Sequence, residues 1–168
     1  MTVHNAGAGC FGAAGPGEPG QWFGIWIRSG TGTQDDSLLF DLTGLLVMGG
    51  AEAAVASTHV ELFSPTSNSS CRGPDLPDQR VDHTTDLMSD SSLLTCGGIY
   101  TATTCLQLLP NAGTWIVTST DISPRMYHTS WKTGDSVILM GGSDGSNYLA
   151  TTEIVGGGPS FSLQLAAE

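Results

Sequence analysis

Three short apolar segments of this sequence each end on a pair of glycines. They read LLVMGG at 45–50, LLTCGG at 93–98 and VILMGG at 137–142. The first glycines of the pairs, Gly49, Gly97 and Gly141, are 48 and 44 residues apart. A period in this range is typical of proteins built from structural repeats. We therefore expect one repeated unit to determine the whole fold.

Other residues recur with the same spacing. Arg80-Val-Asp-His83 and Arg125-Met-Tyr-His128 begin 45 residues apart, and each lies upstream of a glycine pair. A short apolar strand is predicted downstream of each pair. These strands are HVELF at 59–63, CLQLL at 105–109 and TEIV at 152–155. Polar turn residues separate the segments, so each unit is predicted to contain four short antiparallel strands.

One repeated position, at the start of a predicted fourth strand, holds a large or readily buried side chain. Trp22, Cys71 and Trp115 precede the glycine pairs by 27, 26 and 26 residues. The ordered set of Arg-x-x-His, Gly-Gly, third strand and Trp resembles the kelch repeat over about residues 45–165. Cys71 departs from the pattern because it replaces Trp, and the last repeat has a Gly-rich tail at the Trp position.

The resemblance implies an all-β fold of kelch-type β-propeller blades. A Gly-rich flexible leader would occupy residues 1–21 and a partial propeller residues 22–168. The blades would lie at about 37–72, 80–118 and 125–165. The stretch WFGIWIR from Trp22 to Arg28 is predicted to be the last strand of another blade.

About three blades are too few for a closed ring, since closed propellers have about four to eight. An open arc leaves apolar faces and strand edges uncovered. We therefore expect either that the chain is a piece of a longer propeller or that it closes by self-association.

Composition limits the partners. The formal net charge is -11 with only 5 Lys and Arg residues, which argues against nucleic acid because phosphate binding needs basic side chains. No apolar run reaches the roughly 18 residues of a membrane-spanning helix.

Two of the four cysteines are placed to form a disulfide. Cys96 ends the second strand of its unit and Cys105 begins the third. Opposite positions of an antiparallel hairpin bring side chains within bridging distance, so a Cys96–Cys105 bridge is expected. Two reduced thiols in a core are the alternative. Cys10 lies in the leader, and no Cys-x-x-Cys spacing indicates a zinc site.

Asn68-Ser-Ser70 is an N-glycosylation sequon in a polar stretch. Together with the expected disulfide it favours an extracellular or secretory location. Residues 1–20, however, lack the basic and apolar regions of a signal peptide, so the sequence leaves the compartment open.

No metal, cofactor or catalytic group is expected. His83 and His128 occupy the same position in two repeats, which indicates a structural side chain rather than a metal ligand. The stretch GAGCFG at 7–12 matches a dinucleotide-binding pattern, but Pro16 and Pro19 exclude the helix that such a site needs. No Ser/His/Asp or Cys/His set stands at a recognisable spacing.

The resemblance implies that the loops at one face of the propeller bind a protein partner. Tyrosine and arginine are favoured in such interfaces. The partner-binding candidates are Arg80, Tyr100, Arg125, Asp144, Asn147 and Tyr148. For the two arginines, a structural contact with neighbouring backbone is the alternative.

The expected function is therefore that of a non-catalytic kelch-repeat protein–protein interaction module. The alternative is a fragment of a propeller enzyme, a galactose-oxidase-like copper oxidase whose catalytic residues lie elsewhere. The copper content of the protein would distinguish the two.

Overall fold

The structure, a computed structural model, contains only β-strands as regular elements in the residues that it describes. These are residues 23–24, 37–40, 45–52, 55–64, 68–109, 112–119, 121–156 and 162–164. The predicted all-β class is thus confirmed. The described residues include no helix long and apolar enough to cross a membrane. The leader at 1–21, with Cys10 and the GAGCFG stretch, and Trp22 lie outside them.

The strands are short and are separated by turns. They are β1 (Phe23–Gly24), β2 (Ser37–Phe40), β3 (Leu45–Met48), β4 (Ala51–Glu52), β5 (Val55–Ala56), β6 (Val60–Ser64), β7 (Ser69–Arg72), β8 (Thr84–Leu87), β9 (Leu93–Cys96), β10 (Cys105–Leu108), β11 (Ile116–Ser119), β12 (Thr129–Thr133), β13 (Ser136–Met140), β14 (Thr151–Gly156) and β15 (Ser162–Gln164).

The strands form three main antiparallel sheets. The first has the order β1-β2-β3-β6-β7, the second β8-β9-β10-β11 and the third β12-β13-β14-β15. Strands β4 and β5 form a separate hairpin after the first glycine pair. Strand β8 of the second sheet lies against β2 of the first sheet and against β12 of the third sheet.

The leading strand differs from its prediction. Its described part, β1, pairs with β2, with Phe23 opposite Phe40. It therefore extends the first sheet beyond β2 rather than forming the last strand of another sheet. A two-residue strand adds few hydrogen bonds, and the period of the glycine pairs gave no information on its partner.

The sheets pack face to face around two apolar clusters. The first cluster joins the first and second sheets and contains Leu46, Met48, Val60, Leu76, Leu93, Leu106 and Leu108. The second joins the second and third sheets and contains Leu94, Cys96, Cys105, Ile122, Val137, Leu139 and Val155. Because Leu93 and Leu94 point to opposite faces of β9, all four residues of that strand are buried.

Trp115 supports the first cluster from just before β11. Its side chain packs against the buried leucines, and its indole Nε1 donates a hydrogen bond of 2.9 Å to the carbonyl oxygen of Pro74. Trp115 therefore supplies packing surface between the first and second sheets. Cys71, the corresponding residue of the first unit, lies in β7 opposite Leu62.

The first two glycine pairs lie where two sheets approach each other closely. Gly97 has a φ of +68°, and a Cβ placed on it would lie 2.5 Å from the carbonyl oxygen of Arg125 and 2.8 Å from the imidazole Cε1 of His128. Gly49 has the same relation to Arg80 and His83 of the second sheet, with distances of 2.6 and 2.7 Å. Only glycine fits this contact, because both the conformation and the space exclude a side chain.

The Cys96–Cys105 disulfide is present, as the strand ends predicted. The two residues lie directly opposite each other in β9 and β10, with their Cα atoms 4.1 Å apart. The bond closes the β9–β10 hairpin, whose loop contains the second glycine pair, and lies in the second apolar cluster.

Candidate functional site

The candidate residues gather at one end of the three sheets, which we call the loop end. Strands β3, β9 and β13 finish there and strands β8 and β12 begin there. The loop end therefore contains the residues that follow each glycine pair and the two Arg-x-x-His segments.

Both arginines of the Arg-x-x-His segments are buried, with no exposed surface. The Arg80 guanidinium donates to the carbonyl oxygens of Gly97 and Thr104 at 2.8 and 3.1 Å, and to the Thr104 hydroxyl at 2.7 Å. Burial lowers the pKa of Arg80 to about 10, and the nearby Asp78 opposes this effect. Arg80 is thus still cationic at neutral pH, and its hydrogen bonds go to carbonyl oxygens of the loop between β9 and β10 of its own sheet.

Arg125 repeats this arrangement in the third sheet. It donates to the carbonyl oxygens of Gly141 and Thr151 at 3.1 and 3.5 Å. It also forms an ion pair of 3.0 Å with Glu153, whose carboxylate accepts the backbone N–H of Ser123 as well. The prediction that Arg80 and Arg125 contact a partner is therefore corrected, because neither side chain reaches the surface.

His83 and His128 are buried beside these arginines. Burial, followed by the charges of Arg80 and His128, lowers the pKa of His83 to about 3. Burial and the Arg125 charge lower the pKa of His128 to about 4. Both imidazoles are therefore neutral at pH 7. No group of three His, Cys, Asp or Glu in the described ranges could hold a metal ion.

The large hydrophobic side chains that are exposed at the loop end are mainly tyrosines. Tyr100 follows the second glycine pair and is 61% exposed, and Tyr148 follows the third and is 97% exposed. Tyr127 lies inside the second Arg-x-x-His segment and is 58% exposed. Sequence reasoning missed Tyr127 because it assigned the whole segment to the structural repeat.

A difference between the two Arg-x-x-His segments could have identified Tyr127. The equivalent position of the second sheet holds Asp82, which is buried, and both residues have a positive φ, of 55° and 58°. The backbone N–H of Tyr127 donates to the carbonyl oxygen of Asp82 at 3.2 Å. A large aromatic residue where the other repeat has a small acid indicates a side chain that the repeat itself does not need.

The loop that presents Tyr148 is held by Asp144. One carboxylate oxygen of Asp144 accepts the backbone N–H groups of Ser146 and Asn147 at 2.8 and 2.7 Å. These hydrogen bonds lower the pKa of the Asp144 carboxyl, so it is anionic at neutral pH. Asp144 and Asn147 are exposed, and they fix a tight turn directly before Tyr148.

Asn68 lies away from the loop end, in the turn between β6 and β7. It is exposed and has a φ of 48°. An exposed asparagine in a turn is sterically open to modification, and glycosylation of Asn68 stays a prediction.

Neither the models of known protein families nor the curated proteins give a match to this chain. Among solved structures, the chain is similar to the structure of YjhT, with a TM-score of 0.66 at 14% sequence identity. The similarity covers 84% of this chain and 54% of YjhT, so the chain spans about half the length of that protein. At this identity the similarity concerns the fold alone.

Proposed function

We propose that this chain forms three blades of a kelch-type β-propeller and is a non-catalytic module that binds a protein partner through its loop end. Three observations support the architecture. The sheets are successive antiparallel units, each glycine pair ends the second strand of a unit, and the fold is similar to YjhT.

The exposure of the tyrosines carries the functional part of the proposal. The chain has 3 tyrosines, and all of them lie at the loop end with more than half of their surface exposed. Tyrosine supplies a large, rigid and amphipathic contact surface at low cost in side-chain entropy. Val55, in the hairpin after the first glycine pair, is 67% exposed at the same end.

The order of the third loop adds to the argument. The hydrogen bonds of Asp144 hold residues 144–147 in one turn before any partner binds. A surface that is ordered in the free protein loses less entropy on binding. The backbone that leads into Tyr148 is therefore ordered in the free protein.

Charge indicates the chemistry of the partner. The chain has a net charge of -11, and the anionic Asp144 lies in the loop of Tyr148. Tyrosine rings attract Lys and Arg side chains through cation–π interactions. The partner is therefore expected to present basic residues to the loop end.

A peptide library displayed on phage tests this function directly. The wild-type protein should enrich peptides that contain Lys or Arg, whereas the triple variant Tyr100→Ala/Tyr127→Ala/Tyr148→Ala should not. Because all three side chains are largely exposed, the thermal unfolding of the variant should stay close to that of the wild type.

The matched control removes exposed apolar surface elsewhere. Ile116 and Val117 lie on β11 and are 44% and 59% exposed, so Ile116→Ala/Val117→Ala should select the same peptides as the wild type. If the triple tyrosine variant also selected those peptides, or if the wild type selected none, the loop end would not be the binding surface.

A further inference from the structure

The third sheet presents an apolar face that nothing covers in the described part of the chain. Val137 and Leu139 are buried against the second sheet, whereas Ile138 and Met140 point to the other side and are only half-buried. Trp131 lies opposite Ile138 in β12 and is 66% exposed. This outer face of the third sheet is therefore apolar at its centre.

The equivalent faces of the other two sheets are covered by a neighbour. Met140 corresponds to Cys96 of the second sheet, because each directly precedes a glycine pair. Ile138 and Leu94, two residues earlier in each strand, correspond in the same way. Leu94 and Cys96 are 5% and 1% exposed because they pack against the third sheet. The outer face of the third sheet thus has the character of a surface that packs on a further sheet.

The glycine contact gives a second, independent indication. Gly49 and Gly97 each lie against the carbonyl oxygen of an arginine in the following sheet, at 2.6 and 2.5 Å from the position of a Cβ. Gly141 has the same conformation, with a φ of +62°, but a Cβ there would meet only the carbonyl oxygen of Leu149, at 3.6 Å. In the described residues, no segment takes the place that Arg80 and Arg125 take elsewhere.

The threonine that follows each Arg-x-x-His segment also differs in its contacts between the second and third sheets. The Thr84 hydroxyl at the start of β8 lies 2.9 Å from the Nε2 of His128. Thr129 has the equivalent position at the start of β12, and it is exposed. The third sheet therefore repeats these three features of the contact surface of the second sheet, namely the apolar strand residues, the glycine and the threonine, without a neighbour in the described chain.

We propose that a second copy of this chain covers this surface, with the first sheet of one copy packed on the third sheet of the other. The first sheet also has an outward face, where Leu45, Val47 and Phe63 are only partly buried. In two copies related by a two-fold axis, the first sheet of each copy would cover the third sheet of the other, so that no outer face stays exposed to solvent. The inference rests on the contacts between sheets and is independent of the proposed binding at the loop end.

The coverage of YjhT supports a pair rather than a larger assembly. One copy of this chain spans 54% of the length of that similar fold, so two copies supply about one whole fold of that size. A closed pair is therefore the assembly that the geometry favours.

Light scattering coupled to size-exclusion chromatography tests the proposal. The wild-type protein should elute with twice the mass of one chain. Trp131→Asp should elute as a single chain with an unchanged circular dichroism spectrum, because the side chain that it replaces is 66% exposed. Val117→Asp, on the exposed side of β11, is the control and should remain a pair.

Gly141→Ala provides a second variant that acts through a different contact. A single chain has room for the added methyl group, whereas a packed neighbour would meet it as Arg125 would meet one on Gly97. The positive φ makes alanine less favourable at this position in a single chain as well, so we expect this variant to fold with a lower stability and to dissociate. The proposal would be overturned if the wild-type protein had the mass of one chain or of more than two chains. It would also be overturned if both variants remained pairs. The triple tyrosine variant should remain a pair, which separates this test from that of the loop end.

Discussion

The Thr84 hydroxyl lies 2.9 Å from the Nε2 of His128, and both side chains are buried between the second and third sheets. This contact joins the first strand of one sheet to the residue that precedes the first strand of the next. Protonation of His128 would place a charge in a buried site, and that charge would lie beside the charge of Arg125. That cost is the physical reason for its lowered pKa.

The stability of the protein should therefore fall in mild acid. Between pH 6.5 and pH 4 the unfolded chain binds a proton at His128 that the folded chain does not, so acid favours unfolding. In this window a histidine with a lowered pKa reduces the free energy of unfolding by about 1.4 kcal/mol for each pH unit of acidification. Urea unfolding at pH 7 and pH 5 should show the loss.

His128→Gln isolates the contribution of this residue, because its amide can replace the hydrogen bond but does not titrate. The variant should be less stable than the wild type at pH 7, and this difference should shrink by about 2 kcal/mol at pH 5. A difference that is the same at both pH values would show that His128 is not the titrating group.

Breaking the buried ion pair should cost far more than breaking an exposed one. Arg125→Met leaves the Glu153 carboxylate buried with its charge uncompensated, and we expect a loss of about 3–5 kcal/mol in the free energy of unfolding. Arg72→Met removes the exposed pair with Asp75 and should leave the stability nearly unchanged. Chemical denaturation of both variants measures the contrast, and equal losses would contradict the structural role of Arg125.

Gly97 and Gly134 provide a matched pair of left-handed glycines. Both have a positive φ, but a Cβ on Gly134 meets nothing within 4 Å, whereas on Gly97 it meets backbone and imidazole atoms. Gly97→Ala should therefore lower the stability by about 1–3 kcal/mol more than Gly134→Ala, since it adds overpacking to the same conformational strain. Thermal unfolding of the two variants should separate these effects, and similar melting temperatures would contradict the close approach of the sheets.

Removing the disulfide should weaken the second apolar cluster. In the chain-entropy description a bridge between residues 9 positions apart stabilises a protein by about 2.5 kcal/mol. Cys96→Ala/Cys105→Ala should lose about that amount in denaturant unfolding. Mass spectrometry of the unreduced protein should find the two cysteines in one linked peptide, and separate peptides would exclude the bond.

The sequence predicted those features that depend on local geometry. The glycine pairs mark the ends of β3, β9 and β13 because a strand that turns at a positive φ needs glycine there. The facing positions of Cys96 and Cys105 follow from hairpin register alone. The all-β class follows from short apolar segments between polar turns.

Features that depend on contacts between distant residues could not be read in this way. Arg80 is buried because it reaches the carbonyl oxygen of Thr104, 24 residues along the chain, and nothing near Arg80 in the sequence indicates that acceptor. Tyr127 is exposed although its backbone N–H bonds to the carbonyl oxygen of the buried Asp82, 45 residues earlier in the chain. In both cases packing between loops, rather than residue type, decides the exposure.

The complete burial of β9 has a consequence for the dynamics of the molecule. The second sheet packs on neighbours at both faces, whereas each outer sheet packs on one neighbour among the described residues. In an array stabilised by nearest-neighbour contacts, opening starts at the ends and reaches the middle last. In a separate chain, such as the Trp131→Asp variant, the amide hydrogens of β9 and β10 should therefore exchange with deuterium most slowly, at rates set by global rather than local unfolding.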